Sequence, residues 1–153
     1  MREIDSYDRK IMNLIAHQGR ISVTELAERI GLSKTPTVNR LRKLERDGYI
    51  QGYYARLNHE LLDQSHIAFI QVTLSDTSAK ALDRFNSAVQ KLEAVEQCHM
   101  IAGNFDYLIK VRTRDIQAYR QFLGEELVNL PHIAHTSTFV AMETVCDRQK
   151  ITL

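Results

Sequence analysis

The chain has 153 residues, 44% of them apolar, with 20 Lys/Arg against 19 Asp/Glu and a net charge of +1. That length suits one large or two small domains with real hydrophobic cores. No apolar run approaches the roughly 20 residues of a membrane span, and Met1-Arg-Glu-Ile-Asp5 is no secretory leader, so a cytoplasmic protein without membrane contact is expected.

The charge is unevenly divided. Residues 1–50 hold ten Lys/Arg against seven Asp/Glu, while residues 51–153 hold ten against twelve. A mildly basic head on a mildly acidic body fits a DNA reader joined to something else. Cys98 and Cys146 lack C-x-x-C spacing and are expected to stay reduced.

Asp5 is placed to cap a first helix running to about Ala16, with Ile11, Leu14 and Ile15 inward, and Gly19-Arg20 stops it. Ser22-Val-Thr-Glu25 reads as a capping box in which Ser22 and Glu25 satisfy each other's orphan amides. Leu26, Ala27 and Ile30 then mark one apolar face, and Gly31 supplies a turn at positive φ. Ser33 caps the next helix, and Pro36 falls in its first turn, where a missing N–H costs little. Val38, Leu41 and Leu44 are its buried side. Lys34, Arg40, Arg42, Lys43 and Arg46 oppose one acid, Glu45. Two helices joined by a tight turn, the second one basic, make a helix-turn-helix with a recognition helix aimed at a major groove. A purely structural third helix would gain nothing from concentrating cations on its exposed side.

With Leu41 at the buried centre, a step of about 100° per residue sends Pro36, Asn39, Lys43 and Arg46 to the opposite side and Arg40 and Arg42 to the flanks. Thr35, Pro36 and Asn39 are expected to meet base edges, because Asn pairs with adenine in two places and apolar atoms suit a thymine methyl. Ser33, Lys34, Arg40, Arg42 and Lys43 are expected to hold phosphates, and Thr37 belongs to the same exposed turn.

After Asp47-Gly48, Ile50 to Leu57 is strand-like and suits a wing or a lead-out strand. The expected domains are 1–57 for DNA binding, 58–65 as a hinge in which Leu61 and Leu62 are partly packed, and 66–153 for the rest. From His66 the pattern is β-α-β-β-α-β. Ile67–Leu74 is a strand apolar on both sides, and Ser78 to about Leu92 is a helix with its stripe at Leu82, Phe85, Val89 and Leu92. Val95–Ala102 and Phe105–Thr113 are strands meeting at Gly103-Asn104, where a hairpin turn tolerates positive φ. Asp115 caps a helix with its stripe at Ile116, Tyr119, Leu123, Leu127 and Leu130, Pro131 ends it, and Ile133 to about Val145 is the last strand. This order is ferredoxin-like, a four-stranded antiparallel sheet with both helices on one face. An apolar open face is expected to pack on a second subunit. The second and fourth strands are the edges, too far apart for Cys98 and Cys146 to bridge.

The chain carries Ile4-Asp5-x-x-Asp8, Gly19-Arg-Ile-Ser22, Glu25-Leu-Ala27, Gly31-Leu-Ser33, Arg40-Leu-x-x-Leu-Glu45, Gly48-Tyr-Ile50, Gly103-Asn-Phe-Asp-Tyr107 and Leu130-Pro-x-Ile133. Together these motifs resemble the Lrp/AsnC family of leucine-responsive or feast/famine regulators. The resemblance covers almost the full length. It implies an α+β chain, an N-terminal winged helix-turn-helix joined to a C-terminal ferredoxin-like ligand-sensing domain. It also implies dimers that assemble into octamers or similar rings, and amino-acid effectors. By this resemblance the effector lies at the loop of Gly103, Asn104 and Asp106, whose backbone groups and carboxylate would meet an α-amino acid at a subunit interface. Met100, Thr136, Ser137 and Thr138 are the neighbouring side chains. Ser137-Thr-Phe-Val-Ala-Met-Glu143 is similar to the last strand of proline-utilisation regulators.

Six histidines are scattered without metal spacing, and no phosphate-cradling glycine loop or nucleophile elbow is present. No metal, cofactor or enzymatic activity is therefore expected. Double-stranded DNA, a small amino acid and further copies of the chain are the expected partners. Two alternatives are an architectural DNA-wrapping protein without effector and an enzyme like the sirohaem decarboxylases, which resemble the same two-domain fold.

Overall fold

The computed structural model describes residues 3–147. Among these, residues up to Leu57 form one compact unit, joined by Cys146 and Asp147, and Asn58–Val145 form a second. The expected 58–65 segment therefore sits in the second unit. There it turns on Asn58, whose Oδ1 accepts from the Glu60 and Leu61 amides at 3.1 and 3.2 Å, and its Leu61 and Leu62 are exposed rather than packed.

In the first unit α1 (Ser6–His17), α2 (Val23–Ile30) and α3 (Lys34–Arg46) surround Ile11, Met12, Leu26, Ile30 and Leu44. The start signals are used unequally. Ser22 Oγ accepts from the Glu25 amide at 3.1 Å, but the Glu25 carboxylate turns to Arg29 at 2.6 Å, so only half the capping box forms. Ser33 occupies the N-cap of α3 without a side-chain bond. Gly31 ends α2 at φ 75°, and Leu32 donates back to the Ala27 carbonyl at 3.0 Å, which sets the tight turn. Residues 51–57 form no strand: every side chain there is exposed, and a strand needs a ladder partner that this segment does not find among the described residues.

In the second unit β1 (His66–Leu74), α4 (Ala79–Val89), β2 (Val95–Met100), β3 (Tyr107–Thr113), α5 (Ile116–Glu125) and β4 (Ile133–Val140) build an antiparallel sheet of order β2-β3-β1-β4. Ala68, Ile70 and Val72 of β1 and Tyr107, Ile109 and Val111 of β3 point to the side where Phe85, Val89, Tyr119 and Phe122 lie, which puts both helices on one face. Phe85 stacks on Tyr107 with ring centroids 4.5 Å apart. On the open face Phe69 faces Phe139 and Lys110, and Gln71 faces Ser137 and Leu108.

Three features differ from expectation. β4 stops at Val140 instead of Val145. β2 and β3 are separated by the six residues Ile101–Asp106, so Gly103-Asn104 is no two-residue turn, and neither residue has positive φ. The α5 stripe runs through Tyr119 and Phe122, continued by Leu127 and Leu130, while Ile116 is 50% exposed at the first helical position. Cys98 and Cys146 are both free thiols.

Packing separates the two apolar residues sharply. Phe85→Ala should lower the unfolding free energy by about 3–5 kcal/mol, and Ile116→Ala by at most about 0.5 kcal/mol. Urea unfolding of both variants checks this; equal losses would mean that the stripe of α5 is misplaced.

Candidate nucleic-acid interface and effector loop

Helix α3 carries its inward row at Thr37, Arg40, Leu41 and Leu44, spaced three, one and three apart. Thr37 is fully buried, and its hydroxyl donates to the Ser33 carbonyl at 2.9 Å. That removes Thr37 from the expected DNA-contacting set, because a side chain closed into the core reaches nothing outside. Arg40 is turned toward α1. Its Nη1 donates to Asp5 Oδ2 at 2.6 Å and to Asp8 Oδ1 at 2.8 Å, and its guanidinium lies 5.4 Å from the Tyr7 ring centroid. The hydrogen bond that Asp5 accepts from the Asp8 amide, and next the Arg40 guanidinium, hold the Asp5 carboxyl below the usual carboxylate range.

Turning the inward row to Thr37 rotates the outward row as well. It runs through Thr35, Asn39, Arg42 and Arg46, all exposed, with Lys34 and Lys43 also exposed and Pro36 half-buried beside it. Ser33 is exposed at the helix start. Arg46 was not among the expected contacts, yet its side chain is 72% exposed and its one partner, Asp47 at 3.1 Å, is an adjacent surface pair of little energetic consequence. The helical step from Asn39 was the signal that finds it. Glu45, the lone acid of α3, accepts a hydrogen bond from the Tyr53 hydroxyl at 2.7 Å. Desolvation, then that bond, pushes the Tyr53 phenol up to about 12.

The loop Ile101–Asp106 is clamped at its base. The Ile101 amide donates to the Asp106 carbonyl at 2.8 Å, and the Asp106 amide donates to the Val72 carbonyl at 2.9 Å. Asp106 Oδ2 accepts from the Leu74 amide at 2.7 Å, beside the register shift between Thr73 and Leu74. Through Oδ2 the Asp106 carboxylate thus fastens the loop to the end of β1. Between these anchors Ala102, Gly103 and Asn104 are exposed.

The remaining expected effector residues do not converge within one chain. Met100 lies on the β2 edge, lining a cleft of about 510 Å³ with Asn86, Val89, Gln90, Cys98 and Tyr107. Thr136 and Thr138 pair with Val72 and Ile70 on the helix side of β4, at the opposite edge, and the Thr138 hydroxyl bonds the Tyr119 hydroxyl at 2.6 Å. Ser137 pairs with Gln71 on the other face, 3.3 Å from His135 Nε2. Alternation along a strand forbids three consecutive side chains from facing one pocket. Among the described residues no cluster of His, Cys, Asp and Glu is arranged to hold a metal ion, and no helix is long and apolar enough to cross a membrane.

Comparison with known proteins places both units. A winged helix-turn-helix DNA-binding model matches residues 4–51, and an Lrp/AsnC ligand binding domain model matches residues 67–151. A proline dehydrogenase transcriptional activator of Rhizobium radiobacter is 53% identical over 94% of this chain and 92% of its own length. The leucine-responsive regulatory protein of Escherichia coli K12 is 45% identical over 99% of this chain and 93% of its own. Among solved structures, an AsnC family transcriptional regulator from Agrobacterium tumefaciens matches with TM-score 0.90 at 29% identity, covering 97% of this chain and 96% of that one. A transcriptional regulator from Neisseria meningitidis, in complex with L-Met, matches with TM-score 0.89 at 27% identity, covering 98% and 97%.

The rotated outward row has a direct consequence for salt dependence. Arg42→Ala should lower the slope of log affinity against log salt by roughly 0.9 on a duplex that the chain binds, the value for one lost phosphate contact. Fluorescence anisotropy across a potassium chloride series measures it, and an unchanged slope would take Arg42 off the DNA.

Proposed function

The chain belongs to the Lrp/AsnC family of DNA-binding transcriptional regulators, and on that footing we propose that it controls genes of amino-acid metabolism in response to a small amino acid. The observation that carries this reading is the pairing of a DNA-binding match over residues 4–51 with a ligand-binding match over residues 67–151 in one chain. Its relatives and structural neighbours are transcriptional regulators rather than enzymes, which leaves the sirohaem-decarboxylase alternative without support.

Helix α3 enters the major groove in this proposal. Asn39 and Thr35, with Pro36 beside them, read base edges, while Arg42, Arg46, Lys34, Lys43 and Ser33 position the helix on phosphates. The effector is an amino acid held at the Ile101–Asp106 loop. The exposed stretch Ala102–Asn104 offers backbone groups suited to its carboxylate and ammonium. Met100 and Ser137, which lie far apart in one chain, meet the same ligand only if copies assemble around it. The half-apolar open face, with Phe69 opposite Phe139, supports pairing of two copies there. Pairing doubles the half-sites read, and octamers or similar rings would follow from further contacts. The amino acid acts by favouring one arrangement of recognition helices over another, which requires that it bind the two arrangements with different affinity.

The names of the relatives order the candidates: proline first, then leucine and methionine. A thermal-shift screen of the twenty amino acids tests the proposal. One or a few should raise Tm and alter operator binding; an effector present at 100 times its Kd stabilises by about 2.7 kcal/mol. No shift from any of them, together with unaltered DNA binding, would favour the architectural reading.

A further inference from the structure

We infer that Arg40 is a positioning residue, which sets the angle of the recognition helix against α1 and takes no phosphate itself. This rests on the proposed reading of α3 as the helix that enters DNA. Arg40 is the middle residue of α3, so whatever grips it governs the tilt of both ends. What grips it is the first turn of α1 and its cap. Asp8 is 1% exposed, and a carboxylate so buried is tolerated only with a close counter-charge. Arg40 Nη1 supplies that charge at 2.8 Å and reaches Asp5 Oδ2 at 2.6 Å with the same nitrogen. The other oxygen of Asp5 accepts from the Asp8 amide at 2.9 Å, so one carboxylate caps α1 and holds α3 at once. Tyr7 offers its ring to the guanidinium from the same turn.

The apolar partners of α3, Leu41 and Leu44, fix its depth and only loosely its roll, because apolar contact has no direction. Charge-assisted hydrogen bonds do have direction. The electrostatics also set Arg40 apart from Arg42. Two carboxylates in contact with the one guanidinium, at 2.6 and 2.8 Å, offset its charge where it stands. Arg42 is exposed on the outward row, and no carboxylate among the described residues is paired with it.

Full-length Arg40→Ala, Arg40→Lys and Arg42→Ala, with Arg42→Ala as the reference for a phosphate contact, separate the two roles. Each is titrated, over a potassium chloride series, with an operator duplex and with a random-sequence duplex of equal length. Arg40→Ala should lose operator affinity by about tenfold or more, as for one lost base contact, with random-sequence affinity and both salt slopes unchanged. Arg40→Lys keeps the charge but loses the planar guanidinium over the Tyr7 ring, and should fall between Arg40→Ala and the parent. A slope lower by roughly 0.9 in Arg40→Ala would make Arg40 a phosphate ligand and overturn the inference. An unchanged ratio of operator to random binding would overturn it equally. If circular dichroism shows Arg40→Ala unfolded, Arg40→Lys is judged by the same two criteria. An unchanged slope in Arg42→Ala points instead to the wrong outward row, a failure of the proposed function that leaves the ratio measured for Arg40 to stand by itself.

Discussion

A buried carboxylate constrains how the helix-turn-helix is built. Asp8 lies in the core of the three helices, and Arg40, within hydrogen-bonding distance at 2.8 Å, offsets its charge there. Because Asp8 belongs to α1 and Arg40 to the middle of α3, the requirement of one side chain becomes a restraint between two helices. The restraint decides which residues of α3 face the core and therefore which face away. Thr37, Leu41 and Leu44 fill the inside, and Thr35, Asn39, Arg42 and Arg46 are left outside. A surface rich in cations is thereby presented at a fixed angle rather than on a helix free to roll.

In the sheet unit the corresponding constraint falls on β1, the inner strand that pairs with both β3 and β4. Its even-numbered residues from Ala68 to Leu74 are buried under α4 and α5. Its other face carries Ile67 and Phe69 beside Gln71 and Thr73, so that face is half apolar. The Asp106 carboxylate ends the strand by taking the Leu74 amide and fastens the Ile101–Asp106 loop at the same point. On the proposed reading, a ligand at that loop and a second copy on the open face would both bear on one strand, which offers a short route from input to assembly.

Helix and strand identities were legible from apolar spacing and caps, and the order β-α-β-β-α-β sufficed to place the edges of the sheet. The faces of α3 were not. Thr37 reads as polar and outward, yet its hydroxyl is satisfied by the carbonyl four residues back, which lets it enter the core. Arg40 reads as a DNA cation because its partners lie 32 and 35 residues away, and no local pattern records a long-range ion pair. The effector residues do not come together within one chain for a different reason. Thr136, Ser137 and Thr138 were grouped by adjacency, whereas a strand sorts them by parity onto opposite faces. The bond from the Leu74 amide to Asp106 Oδ2, 32 residues apart, is likewise invisible to any local pattern. The strand expected at residues 50–57 was a sound propensity reading, but propensity does not supply a partner strand.

The measurement that bears most directly on the account is hydroxyl-radical footprinting of the full-length protein on its operator. Paired recognition helices, each held at a set angle, should protect patches that come in twos on one face of the duplex, with centres separated by about 10 base pairs or a multiple of it. Addition of the effector should change the protected pattern. A single isolated patch, insensitive to every amino acid, would contradict the account.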